Sequence, residues 1–201
     1  MPGPPPAAST AEQSLQLLKE GNARFVADES HFDGISARRL ELVAGQNPFA
    51  IVLGCSDSRV PIETVFDQLP GNLFVVRVAG NFLDDNGLAS IEYSVSILGS
   101  SLIVVLGHSG CGAVDATLQY LRNGTVQPGH IQRLVAAIEP AAAAVRDEDG
   151  DWWDNAVAEN VRLNAASIVR RSEIVTKAVE SGKLRVVGGV YDLHGGKVSF
   201  L

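Results

Sequence analysis

Apolar positions in this chain fall into two periods that alternate along its length. Four short apolar runs read as strands buried on both faces: Phe49–Gly54, Leu73–Val78, Leu102–Gly107 and Leu184–Tyr191. Between them the apolar step changes to three and four. Leu88, Ile91, Val95 and Leu98 mark a helix that Gly99 should end, and Val114, Leu118 and Leu121 mark another closed by Asn123-Gly124. A helix from about Ile131 carries Pro140, which is expected to kink or split it. A long helical stretch is expected from about Asn155 to Ser181, with Trp152 and Trp153 anchoring a helix start. Asp192–Gly196 reads as a turn into a last strand, Lys197–Leu201, and Arg146–Asp151 as a solvated loop.

At the other end, residues 1–8 are Pro/Ala-rich and expected to be disordered. Ser9-Thr-Ala-Glu12 resembles a capping box, and Leu15, Leu18, Asn22 and Phe25 follow at helical spacing. Residues 9–30 thus form a helical arm, packed on its own domain or on another subunit. The remainder suits a single α/β domain over 9–201. Its expected core is a mostly parallel sheet flanked by helices, with an antiparallel edge strand at the C-terminus.

Composition narrows the function. The 201 residues are 46% hydrophobic and 19% charged, with a net charge of −7. That balance is ordinary for a globular protein and lacks the Lys/Arg clustering of a nucleic-acid binder. No apolar run approaches a membrane span, and the first residues carry no basic and apolar leader pattern, so the expectation is a cytoplasmic protein with no membrane partner. Cys55 and Cys111 are the only cysteines. In a reducing compartment they are thiols available to a metal, and a single disulfide is the less favoured alternative.

Both cysteines follow strand candidates. Cys55 comes directly after Gly54, and His108 directly after Gly107 in the sequence His108-Ser-Gly-Cys111. Open α/β sheets bind ligands beyond the carboxyl ends of their strands, which is where these residues fall. Two thiolates and an imidazole suit zinc, and three protein ligands with an open fourth position suit a catalytic ion. The residues alone leave two other readings open: a structural zinc with Asp57 as fourth ligand, or no metal at all. Asp57 and Arg59 favour catalysis, because an Arg can grip a carboxylate bidentately and keep it off the metal.

The ordered set Cys55-x-Asp57-x-Arg59, Leu73-Phe-Val-Val-Arg77, Ile91-Glu-Tyr93 and His108-Ser-Gly-Cys-Gly112 resembles the β-class carbonic anhydrases, from about Leu15 to the C-terminus. The resemblance implies an α/β fold around a mostly parallel sheet. It implies one Zn2+ per subunit on Cys55, His108 and Cys111, and a catalytic dyad of Asp57 and Arg59. Gln46, Phe74, Tyr93 and Gly112 would line the substrate pocket, part of it supplied by the neighbouring subunit of a homodimer or homotetramer. The implied reaction is reversible hydration of CO2 to bicarbonate and a proton through a zinc-bound hydroxide. Two thiolates make the zinc formally neutral, so activity should rise into the alkaline range. If Arg59 released it, Asp57 could close onto the zinc. Some bacterial relatives carry a second, inhibitory bicarbonate site made by a Trp, an Arg and a Tyr. Arg77 and Tyr191 match it, but Val52 stands in the Trp position. The competing functions are hydrolysis of CS2 or COS on the same scaffold, and a non-catalytic zinc-stabilised interaction module.

Overall fold

In a computed structural model, residues 10–31 and 35–201 are described. The disorder expected for residues 1–8 lies outside them. The strands are β1 (Ala50–Gly54), β2 (Leu73–Arg77), β3 (Leu102–His108), β4 (Arg185–Tyr191) and β5 (Val198–Phe200). They form one sheet in the order β2-β1-β3-β4-β5. The first four are mutually parallel, and β5 runs antiparallel to β4.

The unbroken apolar runs have a simple cause. Every residue of β1 and of β3 is buried, because helices cover both faces of the sheet. Side chains alternate between two cores. Ala50, Val52, Leu102, Val104 and Leu106 pack on the side of α1 (Ala11–Val26) and α3 (Ile62–Val65), with α2 (Ile35–Glu41) between these two along the chain. Ile51, Leu53, Ile103 and Val105 pack on the side of α4 (Asp85–Tyr93), α7 (Trp152–Arg171) and α8 (Glu173–Glu180). A third cluster, built by Val114, Leu118, Ile138, Val145, Ala156 and Val157, reaches Cys55 and Cys111. It joins α5 (Gly112–Asn123), α6 (Ile131–Ala144) and α7 beside the carboxyl ends of β1 and β3.

The helical arm packs on its own chain. Leu15 and Leu18 are buried, and the buried Asn22 amide donates to the carbonyls of Val65 and Gly196 while its oxygen accepts from Val198 N–H. Its capping box lies one residue later than expected. Thr10 is the cap and Gln13 its reciprocal partner, because the Gln13 side chain reaches the Thr10 N–H at 2.9 Å. Gly99 and Gly124 end their helices in the left-handed conformation, with φ of 75° and 73°.

Two helix expectations need correction. Of the outcomes expected at Pro140, the split does not occur: α6 runs unbroken from Ile131 to Ala144. Pro140 and Ala136, the residue whose carbonyl loses its partner, are both exposed, so water can satisfy that carbonyl while Ile138, Ala141 and Ala142 hold the helix down. The long stretch ending near Ser181 is two helices. Ser172 adopts an extended conformation between α7 and α8, and its hydroxyl caps α8 by accepting from Val175 N–H at 3.1 Å.

Candidate metal centre

Parallel strands deliver the site. β1 ends at Gly54 with Cys55 next, β3 ends at His108, and Cys111 is the cap residue of α5. The ligand atoms of these three residues lie within 4.8 Å of one another, and all three residues are buried. Gly107 is needed for this delivery, since a Cβ there would sit 2.7 Å from Val161 of α7.

The donor set fits a zinc ion. His108 Nδ1 lies 2.9 Å from the Ser109 carbonyl, so it is the protonated nitrogen, and Nε2 presents its lone pair. Nε2 is buried and has no hydrogen-bond partner. A buried unpaired ring nitrogen beside two free thiols is costly in a protein interior and natural for a metal site.

Charge in the cluster points the same way. A hydrogen bond from Cys111, aided by His108 and the Gly80 N–H, pulls the Cys55 thiol down against the effect of burial. Cys111 is pushed up by that same bond and by burial. Burial opposes protonation of His108, but the adjacent Cys55 sulfur and its charge outweigh it, and the ring is raised. Cys55 is the member of the cluster that gives up its proton most readily, and a thiolate there is a metal ligand.

Asp57 stands at its edge, with Oδ2 3.9 Å from His108 Nε2. Arg59 grips both carboxylate oxygens, Nε to Oδ1 at 2.9 Å and Nη2 to Oδ2 at 2.7 Å, and the Arg59 backbone N–H also donates to Oδ1 at 2.9 Å. The short spacing makes this possible: Asp57 opens a turn closed by Val60 N–H on its carbonyl, and its side chain locks the next turn position. Arg59 hydrogen bonds hold the Asp57 carboxyl well below the usual range despite its partial burial. Arg59 also reaches the Gly110 carbonyl at 3.3 Å, tying the two ligand loops together.

Residues 50–198 match the family model described as carbonic anhydrase. The chain belongs to the carbonic anhydrase family, β class. The protein named carbonic anhydrase 2 of Mycobacterium tuberculosis is 40% identical over 183 residues, 90% of this chain and 88% of that protein. A carbonic anhydrase of Mycolicibacterium smegmatis is 41% identical over 184 residues, 91% and 89% of the two chains. Among solved structures, a tetrameric β-carbonic anhydrase from Sordaria macrospora superposes with a TM-score of 0.73 at 26% identity, covering 84% of this chain and 90% of that one. The Coccomyxa β-carbonic anhydrase in complex with acetazolamide gives 0.72 at 28% identity, covering 96% and 86%.

Within one β-carbonic anhydrase chain the expected site residues separate into two groups. Cys55, Asp57, Arg59, His108 and Cys111 come together, and Gly112 starts α5 beside them with open space over its Cα. Gln46 is exposed on the segment leading into β1, beyond the opposite end of the sheet. Phe74 and Tyr93 are together, with ring centroids 6.3 Å apart, but Phe74 pairs with Ile51 near the start of the strands. Five strand residues at about 3.3 Å each put roughly 16 Å between the two ends.

Several residues that hold the site escape sequence reasoning. Arg77, matched there to a family motif and to a regulatory site but given no role at the metal, donates from Nε to the Cys55 carbonyl at 2.9 Å and from Nη2 to the Asp57 carbonyl at 2.8 Å. Trp153 donates from Nε1 to the Cys111 carbonyl at 3.2 Å. Gly80 N–H donates to Cys55 Sγ at 3.2 Å. The Gly80-Asn81 pair, separated from the end of β2 by two residues, is a turn signal that could have flagged the last of these. The contact from Trp153 has no local signature.

Proposed function

We propose that this chain catalyses the reversible hydration of carbon dioxide to bicarbonate and a proton, with one zinc ion per subunit held by Cys55, His108 and Cys111. The observation that carries this reading is the buried, unpaired Nε2 of His108 between two thiols, with an Arg-clamped carboxylate at the edge. A zinc ion bound there supplies Lewis acidity that makes a water nucleophilic near neutral pH. Asp57 is an acceptor only, and the Arg59 clamp makes it a weak base. It therefore orients the O–H of an incoming water and does not retain the proton. That proton leaves toward solvent, on the side where Arg59 is 58% exposed. The walls of the cluster (Val114, Leu118, Val157) exclude water and suit an apolar gas.

Gln46, Phe74 and Tyr93 complete the pocket of a second copy in a homo-oligomer. This reading is supported by the position of β2 at the edge of the sheet, by Tyr93 and Ile97 at 50% and 67% exposure, and by the tetrameric assembly described for the Sordaria protein. Two free thiols suit a reducing cytoplasm, and no helix among the described residues is long and apolar enough to cross a membrane.

The test is stopped-flow CO2 hydration with zinc measured on the same sample. The expected result is one zinc per chain and a rate that rises into the alkaline range. A folded chain without zinc, or a zinc-loaded chain inactive at every pH, overturns the proposal.

A further inference from the structure

The loop that follows β2 reaches back to the metal cluster, and one helix far along the chain holds it there. Gly80 is the third residue of a turn closed by Asn81 N–H on the Val78 carbonyl at 2.9 Å. Its φ of +80° belongs to the region that only glycine adopts freely. A Cβ at Gly80 would also lie 2.6 Å from Ile138 and 3.1 Å from Ala113. The turn leaves the Gly80 N–H free to point away from the chain, and it points at Cys55 Sγ.

The carbonyl side of the same residue is held by Asn160. Asn160 is 1% exposed, and its Nδ2 donates to the Gly80 oxygen at 2.9 Å. Asn164, one turn later, fixes Asn160 in turn. Its Nδ2 donates to Asn160 Oδ1 at 3.0 Å, and its own oxygen accepts from Leu83 N–H at 2.8 Å. The amide orientation of Asn160 is therefore determined: its oxygen is occupied by a donor, so its nitrogen must face Gly80. Trp153, seven residues earlier on the same face of α7, holds the Cys111 carbonyl.

We propose that Asn160 is a positioning residue for the metal centre, aiming the Gly80 N–H at the Cys55 sulfur through its bond to the Gly80 carbonyl. An N–H donor on a ligating sulfur fixes the direction of its lone pairs and withdraws charge from it, as outer partners of metal ligands generally do. This rests on the reading of Cys55, His108 and Cys111 as metal ligands, and the experiment separates the two.

Wild-type protein, Asn160→Ala and Ile168→Ala are each loaded with cobalt(II). Metal per chain, the thiolate-to-cobalt absorption band, the rate of metal loss to a chelator, and Tm are measured. Ile168 is fully buried on the same helix and packs in a different cluster from Cys55 and Cys111, so its variant reports simple loss of packing. In Asn160→Ala the band shifts and metal loss quickens by about 10–100-fold. In Ile168→Ala, Tm falls while band and release stay as in wild type. Asn160→Ala behaving like wild type in both readouts, or Ile168→Ala moving them equally, overturns the proposal. If Asn160→Ala does not fold, wild-type protein loaded with NMR-active cadmium decides. A through-bond coupling between the metal and the Gly80 amide proton is expected, and its absence overturns the proposal. Wild-type protein that takes up no cobalt overturns the metal reading instead.

Discussion

The two ends of the sheet are built differently. At the carboxyl end, the three candidate ligands are buried, and their loops are tied by Arg59, Arg77, Trp153 and Gly80. At the amino end, Phe74 and Tyr93 lie on an edge strand and a helix end, Tyr93 is half exposed, and Gln46 is exposed. One end is finished within a single chain. The other leaves Gln46 and Tyr93 open to solvent, as a surface that a second copy would cover.

Removing a ligand should break the finished end most severely. Cys111→Ser, His108→Ala or Cys55→Ser should abolish zinc retention and CO2 hydration together, read by metal analysis and stopped flow. If any of these variants keeps both, the self-contained centre is wrong. Arg59→Ala should come next, lowering activity by about 100-fold or more while zinc content stays near that of wild type. It frees the Asp57 carboxylate without touching a ligand, so loss of zinc in this variant would assign Arg59 to metal retention instead.

A third change tests the other end. Ile97→Glu places a charge on the exposed apolar surface beside Tyr93. It should reduce the assembly to a smaller species in sedimentation and lower activity severalfold, with zinc still bound. A monomeric wild type of full activity would erase the contrast between the ends.

The smallest effect is on stability against pH. Arg59 lowers the Asp57 carboxyl, so the pair stabilises the fold above the ordinary carboxylate pKa of about 4, and that contribution is lost as pH falls through the lowered value. The difference in Tm between wild type and Arg59→Ala should shrink as pH drops from about 6 to about 3. The shift is small because Arg59 is largely solvated. A Tm difference that grows toward acid would reverse the assigned sign.

Legibility followed the range of the interaction. The strands could be read because burial on both faces leaves an unbroken apolar run, and β1 and β3 are buried throughout. The break at Ser172 was hidden because serine is tolerated within helices. Only its hydroxyl on Val175 N–H, and the bond it donates to Glu92 at 2.6 Å, make it a boundary. Pro140 misled in the other direction, since its cost depends on whether the orphaned carbonyl faces water.

By itself the sequence determined the alternation of strands and helices, the chemical identity of the candidate ligands, and the pairing of Asp57 with Arg59, which sit two residues apart within one turn. Each follows from local periodicity or from neighbours along the chain. That Cys55 and His108, 53 positions apart, meet at one end of the sheet could be expected from the strand ends they follow; tertiary structure alone decided that Arg77, Gly80, Trp153 and Asn160 brace them and that Gln46, Phe74 and Tyr93 stand at the far end. Those relations depend on strand order and on where α7 crosses the sheet, and packing sets both in ways that no local spacing records.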